Sequence, residues 1–286
     1  MKLLQNEFIP VAIDQAYQRR QKDNEGDFYR KIAKQGPRDL NGTTQGFYIA
    51  TPAGDLLLYN NNRDPQKLKR LMGESLRPFR NWQAAENKVA VIESGEADKQ
   101  YNPKQPKNGL VVRVRAKVMG GYARSPSLRR TVFQSAVSRD NLWITEEEHD
   151  ALLKGSILRK LQTRIARYHL VDNTRGEPDM WKQEEIRDVQ LTIANGVITG
   201  SAHLETEDGA RGYIANLRGK VEVTDDRVTN LTLVAHGDCW GEGRFTGGAP
   251  KGKFPLAVTF RLADGSDTAD AIPPQGSRGW LGGYLR

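Results

Sequence analysis

The spacing of apolar and polar positions divides the chain into a mixed first third and a longer second part governed by strict alternation. From Ile186 onward apolar and polar residues alternate, as in strands with one buried face. "DVQLTIANGVITGSAHLE" (188–205) reads as a hairpin turning at Asn195-Gly196, and "GYIANLRGKVEVTDDRVTNLTLVAHG" (212–237) turns at Asp225-Asp226. "FPLAVTFRLADG" (254–265) supplies a later strand. Upstream, "VVRVRAKV" (111–118) alternates Val112, Val114, Ala116 and Val118 with Arg113, Arg115 and Lys117, one face to bury and one to wet. Between these lie two helical stretches. "WITEEEHDALL" (143–153) starts with a capping box, Thr145 followed three residues later by Glu148. "SILRKLQTRIARYHL" (156–170) sets Leu158, Leu161, Ile165 and Tyr168 on one face and spreads Arg159, Lys160, Arg164 and Arg167 over the rest. The pattern predicts an α+β fold: an antiparallel meander of at least five strands, strongly curved or partly closed, with helices packed on one side.

The first third follows another rhythm. "EFIPVAID" (7–14) reads as a short buried strand after a helical "KLLQN". "EGDFYRKIAKQGP" (25–37) gives helical spacing through Phe28, Tyr29 and Ile32 and stops at Gly36-Pro37. "TTQGFYIATPAGDLLLYNN" (43–61) is strand, turn and strand. "RDPQKLKRLMGESL" (63–76) is a helix with Asp64 as N-cap, Pro65 at its first position, and Leu68, Leu71 and Met72 facing inward. The polar "EADKQYNPKQPKNG" (96–109) reads as a linker between a first domain, 1–95, and a second, 110–286; "GGYARSPSLRR" (120–130) reads as an exposed loop.

The order strand, helix, hairpin, helix resembles the later part of a thioredoxin-like domain. "LLQNEFIPVAID", "TTQGFYIATPAGDLLLY" and "DPQKLKRLM" carry the resemblance, which covers roughly residues 1–78. It implies a truncated thioredoxin-like α/β segment, because the family's first strand and Cys-x-x-Cys helix start have no counterpart between residues 1 and 78. Where the family places a cis-proline, this chain has Thr43-Thr44-Gln45. Thiol–disulfide exchange needs a low-pKa cysteine and normally a resolving partner, so that activity is not expected to accompany the scaffold.

Composition narrows the function classes. Of 286 residues, 37% are hydrophobic and 27% charged, which fits a chain able to bury a core. No apolar run approaches the roughly 20 residues of a membrane span. The opening "MKLLQNEFIPVAID" lacks a secretory apolar stretch, so a cytoplasmic location is expected, export staying open should the chain be truncated at its start. Net charge is +8, yet basic residues are dispersed among acidic ones with no long like-charge block, so nucleic acid is not expected as a partner.

Two clusters could carry chemistry. "YHLVDNTRGEPDMW" (168–181) gathers His169, Asp172, Asn173, Arg175 and Glu177 in one irregular connection. The bland reading places His169 at a helix C-terminus and pairs Arg175 with Glu177 at the surface. The second, "VAHGDCWGEGRF" (234–245), holds the single cysteine. Alternation puts His236 and Asp238 on one face and leads Leu233, Ala235 and Cys239 to the other, with an irregularity at Gly237 available to bring His236 and Cys239 together. A lone cysteine closing a strand more often acts as a small buried hydrophobe, with no basic neighbour here to lower its pKa. His236 and Asp238 are the metal candidates, two good ligands where three or four are needed. "GEGRFTGGAPKGKFP" (241–255) lacks a phosphate-loop pattern and reads as a mobile loop, and "PPQGSRGWLGGYLR" (273–286) as a tail whose Trp280 and Tyr284 fold back or meet a partner. No cofactor is implied. The expected function is a non-redox binding module for a small ligand or protein partner. The alternative is a hydrolase or metal-dependent enzyme built on His169, Asp172, Arg175, Glu177 and the His236–Cys239 strand; a weaker alternative is nucleic-acid binding through the basic strand and helix faces.

Overall fold

Aspartates start the helices in the first of two units, Met1–Lys104 and Gln105–Arg286, of the computed structural model. The structure describes all residues except 1, 63, 86–88, 94, 96, 97, 99, 101, 124–127, 279 and 280. After α1 (Lys2–Glu7), the side chains of Asp14, Asp23 and Asp64 accept backbone N–H groups at the heads of α2 (Gln15–Gln18), α3 (Asn24–Lys34) and α4 (Pro65–Ala84). Between α3 and α4 lies the expected hairpin, β1 (Phe47–Ala50) paired antiparallel with β2 (Leu56–Asn60). Tyr29 and Ala33 of α3 are buried, and the Tyr29 hydroxyl meets Thr44 Oγ1 at 2.6 Å.

Two expectations for this unit change. Residues 7–14 form no strand: α1 takes the first of them, and Ile9 and Val11 are 91% and 70% exposed. A strand needs a neighbour, and among the described residues of this unit β1 and β2 pair only with each other. Helix α4 runs on past residue 76 through Pro78, where Phe79 stacks on Trp82 at 5.9 Å and the Trp82 indole donates to Asp55 Oδ2.

In the second unit alternation becomes sheet. The strands are β3 (Leu110–Val118), β4 (Asp140–Ile144), β5 (Ile186–Ala194), β6 (Val197–Glu205), β7 (Gly212–Thr224), β8 (Arg227–Trp240) and β9 (Phe254–Leu262). They form one curled antiparallel sheet in the order β4-β3-β9-β8-β7-β6-β5. The meander β5 to β9 is continuous, and β9 then pairs with β3, more than a hundred residues upstream. Both predicted turns take the left-handed backbone that a tight hairpin demands, with φ of 51° and 76° at Asn195-Gly196 and 50° and 55° at Asp225-Asp226.

One face of the sheet is packed and the other is wet. Inward positions such as Val112, Val114, Val189, Leu191, Leu217, Leu233, Val258 and Phe260 share a core with Leu152 of α6 (Glu146–Leu153), Leu161 of α7 (Arg159–Arg164) and Ile165. Burying these side chains is the main stabilising term, at about 25 cal/mol per Å² of apolar surface. The outer face keeps Ile214 and Val234 more than 40% exposed. Helix α5 (Leu128–Ser135) occupies part of the predicted 120–130 loop, of which residues 124–127 lie outside the described set. Trp143 and Ile144, expected at the head of a helix, belong instead to β4, and α6 starts at Glu146. In α8 (Leu281–Tyr284) Tyr284 folds back into the core, one of the two alternatives left open for this segment; Trp280 lies outside the described residues.

Candidate functional site

Arg164 sits at the end of α7, where a π-helical turn, Ile165–His169, takes over. Its side chain is 1% exposed. It had been expected on the polar side of the helix; the structure turns it into the core. Three residues after Leu161 and four before Tyr168, it lies on the apolar stripe by helical count. The guanidinium donates to Glu148 Oε2 at 2.8 Å, to the Trp143 carbonyl at 3.1 Å, and to the carbonyls of Tyr284 and Leu285 at 2.8 and 2.7 Å. Glu148, fully buried, closes the capping box by accepting Thr145 N–H with the same Oε2. One carboxylate therefore serves a helix cap and a buried ion pair, and the arginine fastens the C-terminal tail.

His169, from the connection singled out in the sequence, is also enclosed. Its Nε2 lies 2.7 Å from the Tyr284 hydroxyl. Its Nδ1 lies 3.1 Å from Asp140 Oδ2, at ion-pair range without the alignment of a hydrogen bond. Asp140 Oδ1 accepts the N–H groups of Asn141 and Gln275. Burial pushes the Tyr284 phenol far above its ordinary pKa, so it stays protonated and holds its contact as a neutral group. An Asp–His–Tyr line of this kind invites a catalytic reading, but its members are 9%, 2% and 1% exposed, leaving no path for a substrate.

Asp172 and Arg175 form the next layer. Arg175 Nε and one terminal nitrogen both donate to Asp172 Oδ2, at 3.1 and 2.7 Å, and the other terminal nitrogen donates to the Thr246 carbonyl. Asp172 Oδ1 accepts from Thr174 N–H and hydroxyl. Of the stretch 241–255, expected to be a mobile loop, the last two residues open β9 and the rest is stitched down at several points. Glu242 Oε1 accepts the N–H groups of Gly248 and Ala249, Asp179 Oδ2 accepts Arg244 N–H, and the Gly243 N–H donates to Thr246 Oγ1. Gly176 is required here: a Cβ on it would stand 2.2 Å from the Phe245 carbonyl oxygen.

Beneath this loop lies a cavity of about 20 Å³, lined among others by Asp172, Arg175, Trp181, Arg211, Cys239 and Trp240. That is room for roughly one water. Burial, reinforced by the Asp172 charge, pushes the Cys239 thiol up to about 12. Arg211 stacks on the Trp181 ring at 3.9 Å, donates to the Asp179 carbonyl at 2.5 Å, and has its pKa lowered by burial. These groups make a tight plug rather than a receptacle.

The sequence candidates thus divide. Asp172 and Arg175 do meet the 239–242 segment, Arg175 lying 3.8 Å from Glu242 and Cys239 lining the same cavity. His236 and Asp238 are not brought to them. Strand β8 pairs without a bulge at Gly237, so Cys239 stays on the core face while His236 and Asp238 are exposed on the outer one. Arg175 does not pair with Glu177, whose carboxylate takes Arg278 at 2.6 Å instead. Among the described residues no three His, Cys, Asp or Glu side chains converge as a metal site, and no helix is long and apolar enough to cross a membrane. Sequence reasoning missed Asp140, Asp179, Arg211 and Glu242. It read Glu148 only as a cap and Tyr284 only as part of the tail, because the partners Arg164 and His169 that the fold gives those two lie far away along the chain. No family model, curated protein or solved structure matches this chain.

Proposed function

We propose that the second unit is a non-catalytic, non-redox binding module whose partner docks on the outer face of the sheet. The observation that carries this reading is where hydrogen-bonding capacity has been spent. His169, Asp172, Arg175 and Glu177 each have an internal partner, the only cysteine is a buried neutral thiol, and the cavity beside them holds about one water. A small ligand would need the anchored 241–253 loop to leave. The outer face, by contrast, offers Ile214, Val234, His236 and Asp238 to solvent across neighbouring strands.

The first unit fits the same reading as a scaffold of thioredoxin-like order, since α3, the β1–β2 hairpin and α4 follow one another as in that resemblance. The single cysteine of the chain, Cys239, lies in the second unit, so no disulfide exchange is expected of the first. A photo-crosslinking residue in place of Val234, on the outer face, is expected to yield partner adducts in cells, and one in place of Thr246, at the cavity rim, to yield none. Adducts from position 246 alone, or ester hydrolysis abolished by His169→Ala in a chain that remains folded, would replace this reading with the enzyme alternative.

A further inference from the structure

Charges scattered along the chain are gathered by the sheet. Arg115 and Lys117 of β3, Arg218 and Lys220 of β7, and Arg261 of β9 all occupy outward positions, between the buried ones of their strands. Register places them close together. Arg115 lies opposite Thr259 and Lys117 opposite Ala257, while Thr232 sits between Lys220 and Arg261. Residues two apart on a strand are about 7 Å apart, and the four strands β3-β9-β8-β7 span roughly 15 Å, so the five cations share one small face. Lys220 is paired with Glu222, but among the described residues no ion pair engages Arg115, Lys117, Arg218 or Arg261.

A second observation bears on the same face. Arg113 and Arg261 stand directly opposite each other on β3 and β9. Like charges in that position are destabilising. The fold answers for one of them: Arg113 is held by Asp264 and Asp270, which raise its pKa, Asp270 first. Arg261 has no such answer. Around the cations lie Ser201, Asn216 and Thr232, hydroxyl and amide groups of the kinds that contact phosphate oxygens. Trp240, in phase with the outward residues at the far end of β8, is half-buried, donates its indole N–H to the Gly209 carbonyl and lies against Lys253, so it is not free for base stacking. The backbone of these interior strands is already paired, so strand addition is closed.

Building on the binding-module reading, we infer that this face binds the phosphate backbone of nucleic acid, independently of base sequence, through Arg115, Lys117, Arg218 and Arg261. Charge complementarity with a repeating anion requires no pocket. An acidic protein segment would seek a buried anchor at the centre of its interface, where β8 offers only Thr232, Val234 and His236.

The test is fluorescence anisotropy of the full chain with a short DNA duplex and a single-stranded RNA, repeated with poly-glutamate, over about 50 to 200 mM salt. The expected result is saturable nucleic-acid binding with a log–log salt slope of about −3 to −4 for duplex DNA, one phosphate per cation. Arg115→Gln/Arg218→Gln/Arg261→Gln should weaken it by roughly tenfold or more and flatten the slope by about one per cation removed, with an unchanged circular dichroism melt. Binding of poly-glutamate alone, lost in the same variant, would overturn the nucleic-acid assignment while leaving the docking face in place. Nucleic-acid binding unaffected by the triple substitution, or no binding to either polyanion, would overturn the inference. Protease-sensitive adducts from position 234 would then keep the binding-module reading alive independently.

Discussion

Two regions of the second unit are equally rich in ionisable side chains and use them in opposite ways. Inside, Arg164, Glu148, His169, Asp140, Arg175 and Asp172 are removed from water and bound to one another or to backbone carbonyls. Outside, His236, Asp238, Arg115, Arg218 and Arg261 stand in solvent on regular strands. A dense polar cluster is therefore no sign of an active site by itself. What separates the two is residual capacity: the inner set has little left to give a ligand, and the outer set has nearly all of it. Taking charges out of water is costly unless each is paired, so a buried cluster tends to satisfy itself, whereas an exposed one need not.

The largest expected effect comes from breaking the inner set. Arg164→Ala should cost about 3–5 kcal/mol in chemical denaturation, because it leaves the Glu148 carboxylate buried and unpaired and frees the tail carbonyls. Arg164→Met/Glu148→Met should cost less than the single change, apart from about 1 kcal/mol for the lost cap. A double variant as unstable as Arg164→Ala would mean that the tail contacts, and not the ion pair, carry the effect.

Cys239 gives the next effect. Its thiol rises from 9.0 to about 12 on folding, so the fold favours the neutral form. That contribution is fully present below pH 9 and is lost as pH rises toward 12, at a limiting slope of about 1.4 kcal/mol per pH unit. Stability of the native chain should fall more steeply over that window than stability of Cys239→Ala, followed by denaturation at successive pH values. At pH 8 a thiol reagent should label the folded chain no faster than it opens, with or without His236. Rapid labelling abolished by His236→Ala would place the thiol in contact with that histidine and erase the inside–outside distinction.

The smallest effect belongs to the outer face. His236→Ala and Asp238→Ala should each change stability by no more than about 0.5 kcal/mol, since neither side chain is buried. A loss several times larger in a thermal melt would show that this face is structural after all.

Much of the sheet was legible because its signals are local. Asn195-Gly196 and Asp225-Asp226 announce turns through their own backbone preferences, and alternation carries Cys239 to the core face without reference to any distant residue. The capping box at Thr145 and Glu148 is equally local. The strand expected at 7–14 failed because strand formation depends on a partner that the segment itself does not specify. The pairing of Arg175 with Glu177 failed for a related reason: proximity along the chain suggested it, but Glu177 turns to Arg278, and Arg175 to Asp172 and Thr246. The inward turn of Arg164 has a signal in its helical spacing, but an arginine is buried only where distant partners satisfy it, and the segment does not specify them.

The sequence alone determined the period of each element, the places where the chain turns, and the face on which each strand residue lies. These follow from φ/ψ preferences and the two-residue pleat, which act over a few positions. Tertiary structure alone decided which charges are enclosed and which are gathered. Arg164 could be buried only because Glu148 and the carbonyls of Tyr284 and Leu285 arrive to satisfy it. Arg115, Arg218 and Arg261 share a face only because β9 pairs with both β3 and β8. Charge is felt through space, and only the completed sheet register gathers those three arginines on one face.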